Sequence, residues 1–159
     1  MRSLLDHCGA FARREFAPGE VLLRDGERSG RLFVLAEGTL EVFRGDVEIA
    51  IVSEPGAVFG EMSVLLDSPH TASVRAVTPA KVHVIEKASA FLSEHPDASL
   101  PIATLLARRL QNANGYLVNL KQQFRDHDNH LGMVDEVLES LIHQQHEAFT
   151  PADELPADP

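Results

Sequence analysis

Between Phe11 and Lys87 the apolar residues come in short runs, each closed by a turn signal. The breaks fall at Pro18-Gly19, Asp25-Gly26, Glu37-Gly38, Gly45-Asp46 and Pro55-Gly56. Between and after them lie VLLRD, RLFVLAE, TLEVFR, VEIAIVS, TASVRAV and AKVHVIE. Turn signals every 8–12 residues or so predict an all-β sandwich or barrel-like roll rather than βαβ units. Leu40 and Val42 alternate with Thr39 and Glu41, the pattern of a half-buried strand. About eight strands are expected on this spacing. The segment EMSVLLD interrupts them: it lacks alternation, follows Gly60, and reads as one or two helical turns.

After Lys87 the period changes. ASAFLSEH predicts a short helix stopped at Pro96, and from about Asp97 to His146 the pattern is helical. Leu106, Leu110, Ala113, Leu117, Leu120, Phe124, His127, Leu131, Val134, Leu138 and Leu141 recur at alternating spacings of four and three, a heptad seam. An amphipathic helix lying on its own roll accounts for the first part of this stripe. At about 1.5 Å per residue the whole stripe outruns a small roll, so a homodimer through this seam is expected. Asp126-His127-Asp128-Asn129-His130 places a polar residue on the seam, and either aspartate suits the N-cap of a new helix. A kink or break near 126–130 is therefore compatible with the pattern. The final AFTPADELPADP is acidic and proline-containing and is expected to be disordered. The expected organisation is a β-roll with short flanking helices over 1–96, a helical dimerisation segment over 97–146, and a tail over 147–159.

Composition narrows the class. A chain of 159 residues with 44% hydrophobic and 24% charged residues is about one globular domain long. No apolar run approaches a membrane span, and MRSLLDHCGAF lacks the apolar segment of a signal peptide. With Cys8 as the sole cysteine no internal disulfide can form, which makes a reducing, cytoplasmic setting the default. A net charge of −10 argues against DNA as a partner, because neutralising phosphates takes a basic surface.

The candidate chemistry sits in VFGEMSVLLDSPHTASVRA, Val58 to Ala76. Gly60 lets the backbone approach a ligand closely and adopt angles closed to other residues. The short helix after it presents free N–H groups and the positive end of a dipole. The Glu61 carboxylate can accept a hydrogen bond from a sugar hydroxyl. Pro69 then re-aims the chain so that His70 and Thr71 begin a strand facing the helix start. Together these suit a sugar phosphate, a cyclic diester rather than a triphosphate, since only one anion site is visible.

On these residues the chain resembles the cyclic-nucleotide-binding domain family, which includes the catabolite activator protein and the regulatory subunits of cyclic-AMP-dependent kinase. The resemblance runs from about Phe11 to Gln111 through PGEVLLRDGE, RLFVLAEGTLEVF, VFGEMSVLL, PHTASVRA and ARRLQ. It implies a mainly β fold: an eight-stranded antiparallel, jelly-roll-like β-roll with short helices and a long C-terminal helix. By the same resemblance Phe59, Gly60, Glu61, Met62, His70, Thr71 and Ser73 line the ligand site. Gly60 would give an amide to the cyclic phosphate, Glu61 would take the ribose 2′-hydroxyl, and Thr71 would sit beside the phosphate. Asn112 and Asn114 fall where the catabolite activator protein has hydroxyls for the base.

The departure is His70, which stands where the family has the arginine that clamps the phosphate. Arginine is always charged and offers a planar fork, whereas histidine offers one well-aimed donor. Near neutral pH an imidazole is mostly uncharged, and burial pushes it further that way. Losing one member of a buried charge pair costs about 2–5 kcal/mol, enough to move a micromolar ligand toward millimolar. Arg75 lies about 13 Å along the strand from Thr71 and is not a replacement. The expected cofactor is accordingly none, or a weakly bound cyclic nucleotide (cyclic AMP or cyclic GMP).

Other constellations add little. The histidine pairs His127/His130 and His143/His146 lack thiols or a third ligand, so no metal site is expected. The paired histidines of a cupin-type metalloenzyme are missing from VHVIE, which supplies only His83 and Glu86. No catalytic residues can be placed, so no enzyme activity is expected. The sequence thus predicts a non-enzymatic dimeric regulatory module acting through an unknown protein partner, with no DNA and no membrane contact. The alternative is a working cyclic AMP or cyclic GMP receptor that signals through its C-terminal helix.

Overall fold

The computed structural model describes residues 4–125 and 135–141. A short 3-10 turn, Leu4–His7, leads into eight strands: β1 (Arg13–Phe16), β2 (Val21–Leu23), β3 (Leu32–Glu37), β4 (Leu40–Arg44), β5 (Val47–Val52), β6 (Val58–Phe59), β7 (Ser73–Ala76) and β8 (Ala80–Ile85). Helix α1 (Glu61–Leu66) interrupts them, and α2 (Ala88–Glu94) and α3 (Pro96–Gln123) follow. The strands form two antiparallel four-stranded sheets, ordered β1-β8-β3-β6 and β2-β7-β4-β5. Phe16, Phe33, Leu35, Phe59 and Val82 of the first sheet meet Leu23, Leu40 and Val74 of the second in one buried cluster. Strand β3 is buried on both faces: Leu32 and Val34, which point away from that cluster, are fully enclosed. The helical side chains Leu4, Ala88, Phe91, Ala98 and Ile102 are buried with them. This explains why β3 reads as a continuous apolar run rather than an alternating one.

The six strand segments expected from the turn spacing are all present, trimmed by one or two residues at their ends. With β1 and β6 the strands number eight, the count expected from the turn spacing. His70 and Thr71 do not begin a strand, contrary to expectation. They lie in the loop before β7, where the His70 backbone bonds twice to the β2–β3 loop: its N–H to the Glu27 carbonyl (2.9 Å) and its carbonyl to the Gly26 N–H (2.8 Å). Loop-to-loop pairing has satisfied the backbone groups that a strand would otherwise have used.

Contacts divide the chain into two units, Met1–Leu105 and Leu106–Pro159. Within the second, α3 ends at Gln123, Phe124 donates its N–H to the Leu120 carbonyl at 3.0 Å, and residues 135–141 are again helical. Lys121 and Asp135 form an ion pair. Unbroken helix would set these residues about 21 Å apart along its axis, so the chain does not run as one straight rod between them. The expected seam is therefore straight only from Leu106 to Leu120; Phe124 lies past the helix end, and Leu138 and Leu141 lie on the second helical stretch. His127, Leu131, Val134, the histidine at 130 and the pair at 143 and 146 lie outside the described residues, as does the tail over 147–159.

Candidate functional site

The segment from β6 through α1 to β7 inverts the usual rule for a short surface helix. On α1 the polar Glu61 and Ser63 are buried, while Met62, Leu65 and Leu66 are exposed. Glu61 is only 3% exposed. Enclosing a carboxylate is costly unless it is partnered, and Glu61 does have an interaction partner within the protein. Ser63 donates its hydroxyl to the Ser68 carbonyl and so ties the two ends of the helix–loop together. Asp67 closes α1 in the left-handed region (φ 47) and pairs with Arg28 of the β2–β3 loop at 3.1 Å.

Gly60 caps the N-terminus of α1 at φ 87. A Cβ built there would lie 2.6 Å from the Arg31 carbonyl oxygen. The glycine is thus demanded by the fold's own backbone, whether or not a ligand comes near. Gly60→Ala is expected to destabilise the protein by about 3 kcal/mol or more: left-handed strain contributes about 1–2 kcal/mol and displacing the Arg31 carbonyl adds to it. Urea unfolding checks this, and a loss below about 1 kcal/mol would mean that the loop relaxes freely.

His70 is 5% exposed and fixed on three sides. Its backbone is held by Gly26 and Glu27, its Nε2 lies 2.8 Å from the Ser29 hydroxyl, and its Cε1 would sit 3.6 Å from a methyl on Gly60. The loops therefore bring Gly60, Glu61, His70 and Ser29 together around one end of α1. Burial lowers the proton affinity of His70 below the ordinary histidine value of 6.5; the carboxylates of Glu27 and Glu61 act in the opposite sense without reversing the shift. The ring is therefore neutral at physiological pH. Nearby arginines are already engaged: Arg28 with Asp67, Arg31 with Glu86, and Arg75 with Glu41 at 2.6 Å while its guanidinium stacks over Phe43.

The sequence model of the family described as "Cyclic nucleotide-binding domain" matches residues 13–92, half of the chain and all of the segment just described. The chain belongs to the cyclic nucleotide-binding domain family. Over 74 residues it is 35% identical to cGMP-dependent protein kinase 2 of Homo sapiens, covering 46% of this chain and 10% of the kinase. Over 112 residues it is 25% identical to the CRP-like cAMP-activated global transcriptional regulator of Mycobacterium tuberculosis, covering 67% of this chain and 50% of the regulator. The crystal structure of Thermus thermophilus catabolite activator protein superposes with a TM-score of 0.63 at 28% identity, over 74% of this chain and 59% of that one. The chain thus spans between a tenth and a half of the length of these curated relatives.

The remaining candidates of this cyclic nucleotide-binding domain chain lie on different elements. Phe59 belongs to the buried core. Thr71 and Met62 are exposed, and the Ser73 hydroxyl accepts the Asp25 N–H at 2.9 Å. Asn112 and Asn114 lie on α3 in the second unit; Asn112 is exposed, and the Asn114 carbonyl oxygen is enclosed with no hydrogen-bond partner among the described residues. His83 Nδ1 shares that condition on β8, and among the described residues no group of acids, histidines and cysteines could hold a metal. Ser29, the direct partner of His70, is absent from the expected set. It sits in the GERSG turn, 41 residues away in sequence, and only the pairing of the two loops makes it a neighbour.

Proposed function

We propose that this domain is a non-enzymatic regulatory module that binds cyclic nucleotides weakly or not at all and acts as a cytoplasmic homodimer through a protein partner. The observation that carries the reading is His70: buried, neutral and tied to Ser29, at the position where the family resemblance expects the phosphate-clamping arginine. In this reading Gly60 and Glu61 would still meet the phosphate and the ribose 2′-hydroxyl, with Thr71 and Ser73 beside them, but no charged fork closes the site. Dimerisation is assigned to the straight part of the α3 seam, Leu106, Leu110, Ala113, Leu117 and Leu120. The test is the thermal unfolding midpoint with and without millimolar cyclic AMP or cyclic GMP, since a ligand stabilises the state it binds by mass action. Little or no shift is expected; a large shift saturating at micromolar nucleotide would sink the proposal.

The second reading, a working cyclic nucleotide receptor signalling through α3, draws support from the enclosed Glu61. A buried carboxylate at this place in the cassette is a natural partner for a sugar hydroxyl. The names of the relatives, a cGMP-dependent kinase and a cAMP-activated regulator, point the same way.

DNA is not a proposed partner. At a net charge of −10 the chain lacks the cationic excess that drives counterion release. Titration of labelled duplex at moderate salt is expected to give no saturable complex, and a salt-sensitive nanomolar complex would overturn this part of the reading.

A further inference from the structure

We propose that Ser29 is a positioning residue: it holds the His70 ring with its proton on Nδ1, so that the cassette presents one uncharged N–H donor rather than a cation. Two contacts at the Ser29 oxygen carry this. The oxygen accepts the Arg31 backbone N–H at 3.3 Å and lies 2.8 Å from His70 Nε2. Among the described residues it has no other partner, so the hydroxyl hydrogen has one acceptor within reach, Nε2. A nitrogen that accepts from the hydroxyl carries no proton, and a neutral imidazole then keeps its proton on Nδ1.

The orientation of the ring gives this tautomer a consequence. Cε1, the carbon between the two nitrogens, faces Gly60. With Nε2 turned to Ser29, Nδ1 lies on the remaining side of that edge, and no described residue bonds it. Beside the ring lie the Gly60 backbone at Cε1 and, close enough to act on its charge, the carboxylates of Glu27 and Glu61. Of the three arginines in the same loop, Arg28 and Arg31 are paired with Asp67 and Glu86, and Arg24 is exposed on the residue after β2. A ligand oxygen arriving at the ring meets a neutral side-chain donor with the carboxylates of Glu27 and Glu61 nearby. To become a cation the ring must gain a proton on Nε2, and the Ser29 hydroxyl must then surrender its one acceptor among the described residues.

This rests on the proposed reading only in treating the cassette as the ligand-facing side. Its test needs no nucleotide, so its failure and the failure of that reading are separable. The full chain, labelled with nitrogen-15 and free of nucleotide, is examined by long-range proton–nitrogen correlation at about pH 8, where an unperturbed imidazole is neutral. His70 is assigned by its absence from His70→Gln. The wild type should show His70 with Nδ1 protonated and Nε2 bare. Ser29→Ala should lose that bias toward Nδ1, and Ser29→Thr, which keeps the hydroxyl, should restore it. Protonated Nε2 in the wild type would overturn the proposal, as would an unchanged tautomer in folded Ser29→Ala. Should Ser29→Ala not fold, the wild-type spectrum and Ser29→Thr still decide.

Discussion

His70→Arg is expected to raise the affinity for a cyclic nucleotide at least tenfold, about 1.4 kcal/mol. The gain comes from a guanidinium whose charge does not depend on pH and whose fork reaches two phosphate oxygens. Gly60 and Glu61 are already in place at the start of α1, so the variant has only the cation to supply. The wild type should respond to pH where the variant does not. Burial favours the neutral ring, so His70 takes up a proton only below its ordinary value of 6.5. Residual wild-type binding should be flat from about pH 8 to 7 and strengthen as pH falls past that value, with proton uptake on binding. The same shift has the opposite sense for the empty fold. A lowered folded-state value stabilises the protein above the unfolded value and loses that contribution as pH falls through the folded one. Calorimetry on both proteins at about pH 6 and pH 8 separates these effects. No gain in the arginine variant would mean that the site is closed by more than His70.

Replacing Leu117 and Leu120 together with lysine is expected to convert a homodimer into a folded monomer. Both leucines are half-buried on α3 and lie on the straight part of the seam, with Leu110 exposed one heptad earlier. Each fully buried leucine is worth about 1.5–3 kcal/mol, and a twofold interface counts every residue twice, so the double change removes an energy comparable to the about 8 kcal/mol that holds a micromolar dimer together. The strands lie in the other unit and should keep their thermal transition. Light scattering checks the mass. A monomeric wild type at tens of micromolar would end the dimer proposal before any variant is made.

Much of the roll was legible because its strands are bounded by glycine and proline turns that leave little choice. The six expected strand segments, the α1 interruption after Gly60 and the stop before Pro96 all follow from local chemistry, and local chemistry is what a sequence prints. What was not legible depends on pairing across long loops. Ser29 meets His70 only because Gly26 and Glu27 bond the His70 backbone, and nothing in GERSG or SPHTA announces that contact. The reach of the seam was left open by the sequence, which allowed a kink or break near 126–130. A heptad count records apolar spacing but not where a helix ends, and α3 ends at Gln123. The role of Gly60 looked like ligand access from the sequence; the Arg31 carbonyl behind it shows an equally strong structural demand.

The central claim is that a buried neutral histidine in this cassette leaves cyclic nucleotides weakly held. Isothermal titration of the wild-type protein with cyclic AMP and with cyclic GMP near pH 7.5 measures this directly. The account predicts a dissociation constant in the millimolar range or no measurable heat, consistent with the about 2–5 kcal/mol lost with a clamping cation. Micromolar binding that does not change between about pH 6 and pH 8 would contradict it, because some group other than His70 would then be holding the phosphate.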